Sequence, residues 1–244
     1  MSKHLYNTTI GKVPWFVKRF GAREIVLKPL RVLFAPLIIP TLPRKTFLFQ
    51  EQTLVCFYHG YNMTWASERC VEVPIARAYL ERYQGRPVLE VGNVLSHYGL
   101  VAHDVLDKFE KGPGIINEDI IGFHPAKRYD LILSISTFEH IGFDDEANEP
   151  SGRKILRAIA SCRQLLGPDG SLVLTVPIGY NPELNLLVRD NLLPTNQQTF
   201  LRRVGRLDWE VCRKEEALPC QYRRPFPYAN AIMVAEFGPP TSAA

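Results

Sequence analysis

Val88–Gly99 reads V-L-E-V-G-N-V-L-S-H-Y-G, and a second stretch, Tyr129–Gly142, reads Y-D-L-I-L-S-I-S-T-F-E-H-I-G. Each begins as a short apolar run without alternation and breaks into small and polar residues. That is the pattern of a parallel strand buried on both faces. In doubly wound sheets ligands bind beyond the carboxyl ends of the strands, where the strand order reverses. Chemistry is therefore expected at Glu90–Gly99 and at Ser134–His140.

Working outward, Pro87–Val91, His103–Asp107, Ile115–Asp119, Asp130–Ile135 and Ser171–Val176 read as five strands. Asp208–Arg213 and Ala229–Phe237 read as two final ones. The clearest helix is Ser151–Leu166, with Ile155, Leu156, Ile159, Cys162, Leu165 and Leu166 on one face. Gly167-Pro168-Asp169-Gly170 is expected to end that helix and turn the chain. Helix-like turns are expected over Asn185–Arg203. Ser67–Tyr83 is helical in pattern, with Pro74 expected at a fresh helix start. Lys45–Tyr58 reads as two short strands about Gln50–Gln52. The fold class is α/β: a Rossmann-like, doubly wound, mostly parallel sheet.

The set Glu90-x-Gly92, Asp107, Asp119, Tyr129-Asp130-Leu131 and Gly167-Pro168-Asp169-Gly170 resembles the class I S-adenosylmethionine-dependent methyltransferases, over roughly residues 77–237. This is a divergent, shortened version. Val94 and Ser96 stand where the family has its second and third glycines. The link from Asp107 to Ile115 is too short for the usual helix. The resemblance implies S-adenosylmethionine as cofactor and a final antiparallel pair of strands. By position it implies cofactor contacts from Glu90 (methionine amino end), Gly92, Asn93, Asp107 (ribose hydroxyls), Asp119 (adenine side) and Ser134.

Methyl transfer from a sulfonium asks mainly for positioning. A hydroxyl acceptor also needs a base, and His140, just past the fourth strand, is the candidate. The loop His59–Trp65, with Tyr58, offers Tyr58, Tyr61, Asn62 and Trp65 as acceptor-binding residues; the other reading is that they cap the core edge. The expected reaction is transfer to oxygen or nitrogen of a small-molecule, sugar or lipid-linked acceptor. The alternative is a cofactor-free binding or scaffold protein on the same fold. Nucleic acid is not expected as a partner, since no Asn/Asp-Pro-Pro-Tyr follows the fourth strand. No metal is expected: His97, His103, Asp104 and Asp107 lack a helical pair of ligands.

The chain has 244 residues, 46% of them hydrophobic, enough for one large domain with an extension. Its five cysteines are odd in number and form no C-x-x-C pair. That fits a reducing compartment, so a cytoplasmic location is expected. The first ten residues lack the apolar core of a signal peptide. Residues 1–50 hold nine Lys or Arg against one acid, Glu24, a net of +8; the remainder holds 20 basic and 24 acidic residues, a net of −4. The expected organisation is a basic accessory segment over residues 1–66 that caps the acceptor pocket, then a catalytic-type domain over 67–244. Pro29, Pro36 and Pro40 are expected to break any long helix in the basic segment. Its apolar run after Arg31 is shorter than the ~20 residues of a membrane span. Two readings stand for residues 1–45: peripheral contact with an anionic membrane, through Trp15, Phe16 and Leu33, or packing on the domain.

Overall fold

The computed structural model describes residues 22–144 and 149–239, with side chains from residue 29 onward in the first helix. Lys3, Lys12, Lys18, Arg19, Trp15 and Phe16 therefore lie outside the described residues.

Helix α1 runs Ala22–Ile38 and is followed by a 3-10 turn, Ile39–Thr41. It passes through both Pro29 and Pro36, so the breaks expected at those two do not occur, while the α-helix does end just before Pro40. Each proline forgoes one hydrogen bond to the residue four before it. Val32, whose carbonyl Pro36 cannot meet, is 48% exposed and within reach of water. A hairpin follows, β1 Thr46–Phe49 and β2 Gln52–Val55, in antiparallel register. Gln50 and Glu51 both have positive φ, the two-residue turn whose twist suits paired strands. Phe47 and Phe49 point inward and join the core beside Ile75, Tyr79 and Val88.

Helix α2, Arg69–Arg82, holds Pro74 in its interior and not at a new start. The carbonyl of Cys70, left without its helical donor, accepts instead from Phe57 N–H at 2.9 Å. That outside donor is why the proline is tolerated.

The main sheet has eight strands: β3 Val88–Val91, β4 Asp104–Leu106, β5 Ile115–Ile116, β6 Tyr129–Ile135, β7 Leu166–Pro177, β8 Gln197–Arg203, β9 Trp209–Cys212 and β10 Ala231–Phe237. Their order is β5-β4-β3-β6-β7-β10-β8-β9. The first five are parallel, and β10, β8 and β9 extend the sheet antiparallel. This is the expected Rossmann-like, doubly wound sheet. The order reverses between β3 and β6, which makes that junction the switch point.

Successive residues enter opposite cores. Leu89, Val91, Ile132, Leu172 and Leu174 pack under helix α3, Ser151–Gln164, and helix α4, Pro182–Arg189. Val88, Leu131, Leu133 and Val173 pack under α2 and the hairpin. A short helix α5, Lys214–Ala217, follows β9.

Two further expectations are corrected. Asn185–Arg203 is not helix-like throughout: α4 ends at Arg189, and 197–203 is strand β8, hydrogen-bonded on both edges. Two partner strands override the polar look of Q-Q-T-F-L-R-R, and Phe200 and Leu201 face opposite cores. Gly167–Gly170 is not a turn ahead of a strand but a bulge inside β7, since Tyr129 pairs with Leu166 and Leu131 with Ser171. A side chain on Gly170 would sit 2.8 Å from the Tyr129 carbonyl, so only glycine fits there.

Candidate functional site

The switch point opens into a cavity of about 540 Å³, within the range of small-ligand sites. A slightly larger one, about 640 Å³, lies at the amino ends of β6 and β7, lined by Phe123, His124, Arg128 and Gln164. Topology favours the former, at the carboxyl ends.

Gly92 forms its floor. Its amide donates to Leu106 O at 2.8 Å. Its φ is +91°, and a Cβ there would lie 2.2 Å from Thr137 Oγ1 across the switch point. Glycine is thus required twice over, by conformation and by the close approach of Thr137. Asn93 and Val94 continue the lining, and Val94 also packs against the core under α2.

Glu90 does not line the cavity. It is fully buried beneath the loop, where Oε1 accepts from Val94 N–H and Leu95 N–H, both at 2.8 Å. Oε2 accepts from His103 Nε2 at 3.0 Å. It serves the free amides that open the 3-10 turn Leu95–Tyr98. Ser134 is also beneath: buried, it donates to Val91 O at 2.7 Å and ties β6 to β3.

Asp107 is on the rim. Oδ2 accepts from Asn93 N–H at 3.0 Å, and Oδ1 accepts from Phe109 N–H and Glu110 N–H at 2.8 and 2.7 Å. A carboxylate offers roughly four acceptor positions, so one remains, on Oδ2. Asp119 lines the far wall. Its Oδ1 accepts from Ile121 N–H at 3.0 Å and its Oδ2 meets Lys108 Nζ at 2.9 Å. Burial pushes this carboxyl up, but Lys108 and the Ile121 amide outweigh it and hold it below its ordinary value.

His140 faces the same cavity. Its Nδ1 donates to Asp144 Oδ2 at 2.6 Å, and Tyr180 Oη donates to that same oxygen at 2.6 Å. Its Nε2 lies 3.5 Å from Glu139 Oε1. Burial alone lowers the imidazole's pKa; Glu139 and Asp144 outweigh it, and the net shift is upward. Glu139 itself is pushed up to about 7, chiefly by burial, and its Oε2 has no hydrogen-bond partner.

Behind this wall, Glu72 Oε1 accepts from Ser136 Oγ at 2.6 Å and Thr175 Oγ1 at 2.7 Å. Arg69 donates to Ile135 O at 2.9 Å and lies 3.4 Å from Glu72 Oε2. This network pins the carboxyl ends of β6 and β7.

The four aromatic-loop candidates are placed apart from the cavity lining. Tyr61 stacks on His97, with ring centroids 4.4 Å apart, and His97 lies 3.3 Å from Glu110 on the rim. Asn62 is exposed at φ +45°. Tyr58 Oη and Trp65 Nε1 are buried without hydrogen-bond partners.

Sequence reasoning missed Lys108, Phe109 and Lys154, which line the cavity together with Thr137 from the expected stretch Ser134–His140. Lys154 lies outside the apolar set of α3, yet it is only 8% exposed. No local signal marks it, because the strand-end loops that cover it come from elsewhere in the chain.

The chain matches no protein-family profile and no curated protein. Solved structures are similar to it at low identity. The N-methyltransferase NodS from Bradyrhizobium japonicum WM9, in complex with S-adenosyl-L-homocysteine, is 15% identical, over 71% of this chain and 88% of that one, with a TM-score of 0.43. A TehB-like SAM-dependent methyltransferase from Corynebacterium glutamicum is 16% identical, over 68% and 86%, with a TM-score of 0.37. The glycopeptide N-methyltransferase MtfA, complexed with S-adenosyl-L-homocysteine, is 13% identical, over 68% and 86%, with a TM-score of 0.35. At these scores the likeness carries no argument of its own, and the fold stands on the strand order of the chain itself.

Proposed function

We propose that the chain is an S-adenosylmethionine-dependent methyltransferase acting on an oxygen or nitrogen of a small-molecule, sugar or lipid-linked acceptor. The observation that carries this reading is the cradle at Gly92. Glycine, required there by its φ of +91° and by Thr137 packed against it, brings bare backbone to the cavity at the switch point, directly between the ends of β3 and β6. The residues present fit the cofactor. Asp107 retains one acceptor position for a ribose hydroxyl. Asp119 and Lys108, with Ile120 and Phe109 beside them, offer polar and apolar contacts for a nucleobase. Asn93 and Gly92 lie where the backbone can approach closely.

When bound, S-adenosylmethionine supplies an already activated methyl group. What this chain supplies is position and a proton acceptor. His140 Nε2, 3.5 Å from Glu139 Oε1, is the nitrogen proposed to take an acceptor's proton, while Asp144 and Tyr180 hold the ring through the Nδ1 side. Because its pKa is raised, deprotonation of His140, and with it turnover, rises as pH climbs through a value above 6.5. Tyr58, Tyr61, Asn62 and Trp65 remain the proposed acceptor side, reached past His97 and Glu110. The proposed division of the chain is likewise 1–66 and 67–244.

Calorimetric titration with S-adenosylhomocysteine tests the reading. Asp107→Ala removes a charge-assisted contact worth about 1.5–3 kcal/mol, so affinity should fall roughly ten- to a hundredfold. His140→Ala should leave affinity nearly intact and lower turnover once an acceptor is found. Absence of binding by the unaltered chain would favour a cofactor-free scaffold instead, with Val94 in the cavity as its cause.

A further inference from the structure

Helix α1 shows water an unusual surface. Leu30, Leu33, Phe34 and Leu37 are 43%, 69%, 47% and 70% exposed. They fall at i, i+3, i+4 and i+7 and so form one stripe. Val32 adds a further 48% exposed apolar side chain beside it. The helix meets the body on another side: Ala35 is buried, and its Cβ lies 3.7 Å from where a Gly60 side chain would start. A helix apolar on several faces belongs in a core or in lipid. At 17 residues it is roughly 25 Å long, and no described helix is long and apolar enough to cross a membrane.

We propose that the exposed stripe of α1 docks the protein in the headgroup layer of an anionic bilayer, with α1 lying in the plane of the surface. Charge selects this occupant. The stripe is embedded in a segment with nine basic residues and one acid over positions 1–50. Arg44, just after the helix, is exposed. Apolar insertion combined with basic flanks is the combination that holds peripheral helices on acidic lipid. A second copy would bring a second segment of net +8 against the first. The placement also bears on the site. Helix α1 packs on the 3-10 turn Tyr61–Ala66, and Tyr61 reaches the cavity rim through His97 and Glu110. Resting on the proposed methyl transfer, the acceptor class this favours is one presented at a membrane surface.

The test is flotation of the full chain with vesicles of phosphatidylcholine, alone or mixed with phosphatidylglycerol, at low and high salt. The unaltered chain should float with the mixed vesicles only, and high salt should release it. Leu33→Glu combined with Leu37→Glu should lower partitioning at least about tenfold. Leu186→Glu, at an exposed leucine on α4, should not change it. Equal recovery with neutral vesicles, no salt effect, or full recovery of the double variant overturns the proposal. So does a dimer of the unaltered chain that the double variant turns into monomer, because the stripe is then an interface between copies. The lipid and salt arms need no variant, and S-adenosylhomocysteine binding is read separately by calorimetry. Failure to float with binding intact overturns docking alone.

Discussion

The two sides of the switch point are built differently. On the β3–β4 side the wall is backbone: Gly92 without a side chain, and amides of Asn93, Val94, Leu95, Phe109 and Glu110 gathered by just two carboxylates, Glu90 and Asp107. On the β6–β7 side the wall is backed by buried charge: Glu72, Arg69 and Glu139 lie behind it, and His140, half-exposed and held by Asp144 and Tyr180, faces the cavity. The first arrangement holds a loop in a shape that suits close approach by a ligand. The second stores titratable groups where water is scarce, the condition under which acid–base chemistry is tuned. On the proposed reading, the contrast divides binding and proton handling between two halves of one sheet.

The comparison breaks most visibly at Glu72. Replacing it with alanine leaves Arg69 mostly buried without its partner and strips the acceptor from Ser136 and Thr175. The expected loss in urea unfolding is about 3–5 kcal/mol. A loss below about 1 kcal/mol would mean that the charged wall is not a structural unit.

The next largest effect is at Glu139, and it depends on pH. Its carboxyl is raised in the fold from its ordinary 4.5 to about 7. Between those values the folded state binds more protons than the unfolded one, so the group makes stability fall as pH rises through that window. The shift corresponds to at most about 3 kcal/mol. Glu139→Gln should therefore raise the melting temperature at pH 7 and above, with the gain shrinking to nothing near pH 4.5. A gain independent of pH would show that packing, not charge, sets the effect.

Much of the fold was legible because its strands are short, mostly apolar runs without alternation that break into small and polar residues. Val88–Val91 and Tyr129–Ile135 declare themselves in this way, as does the single-faced pattern of α3. What was not legible depends on distant partners. Pro74 sits inside α2 only because Phe57 takes the abandoned Cys70 carbonyl. The stretch 197–203 is a strand only because β10 and β9 flank it.

The site divides likewise. Gly92, Asn93, Asp107, Asp119 and His140 come together on one cavity, as strand-end position suggests. Glu90 and Ser134 share that position but turn beneath it, since loop amides and the Val91 carbonyl claim them first. Thr137 lies in the strand-end stretch Ser134–His140, whereas Lys108 and Lys154 carry no local mark. They face the ligand space because three separate segments meet there.

The most direct test of a ligand at the switch point is amide hydrogen exchange of the full chain, with and without saturating S-adenosylhomocysteine. New protection should appear at Gly92–Leu95, at Asp107–Glu110 and at Asp119–Ile121, with none at Phe123–Arg128. Protection confined to Phe123–Arg128, beside the larger cavity at the opposite strand ends, or none at any amide, would contradict it.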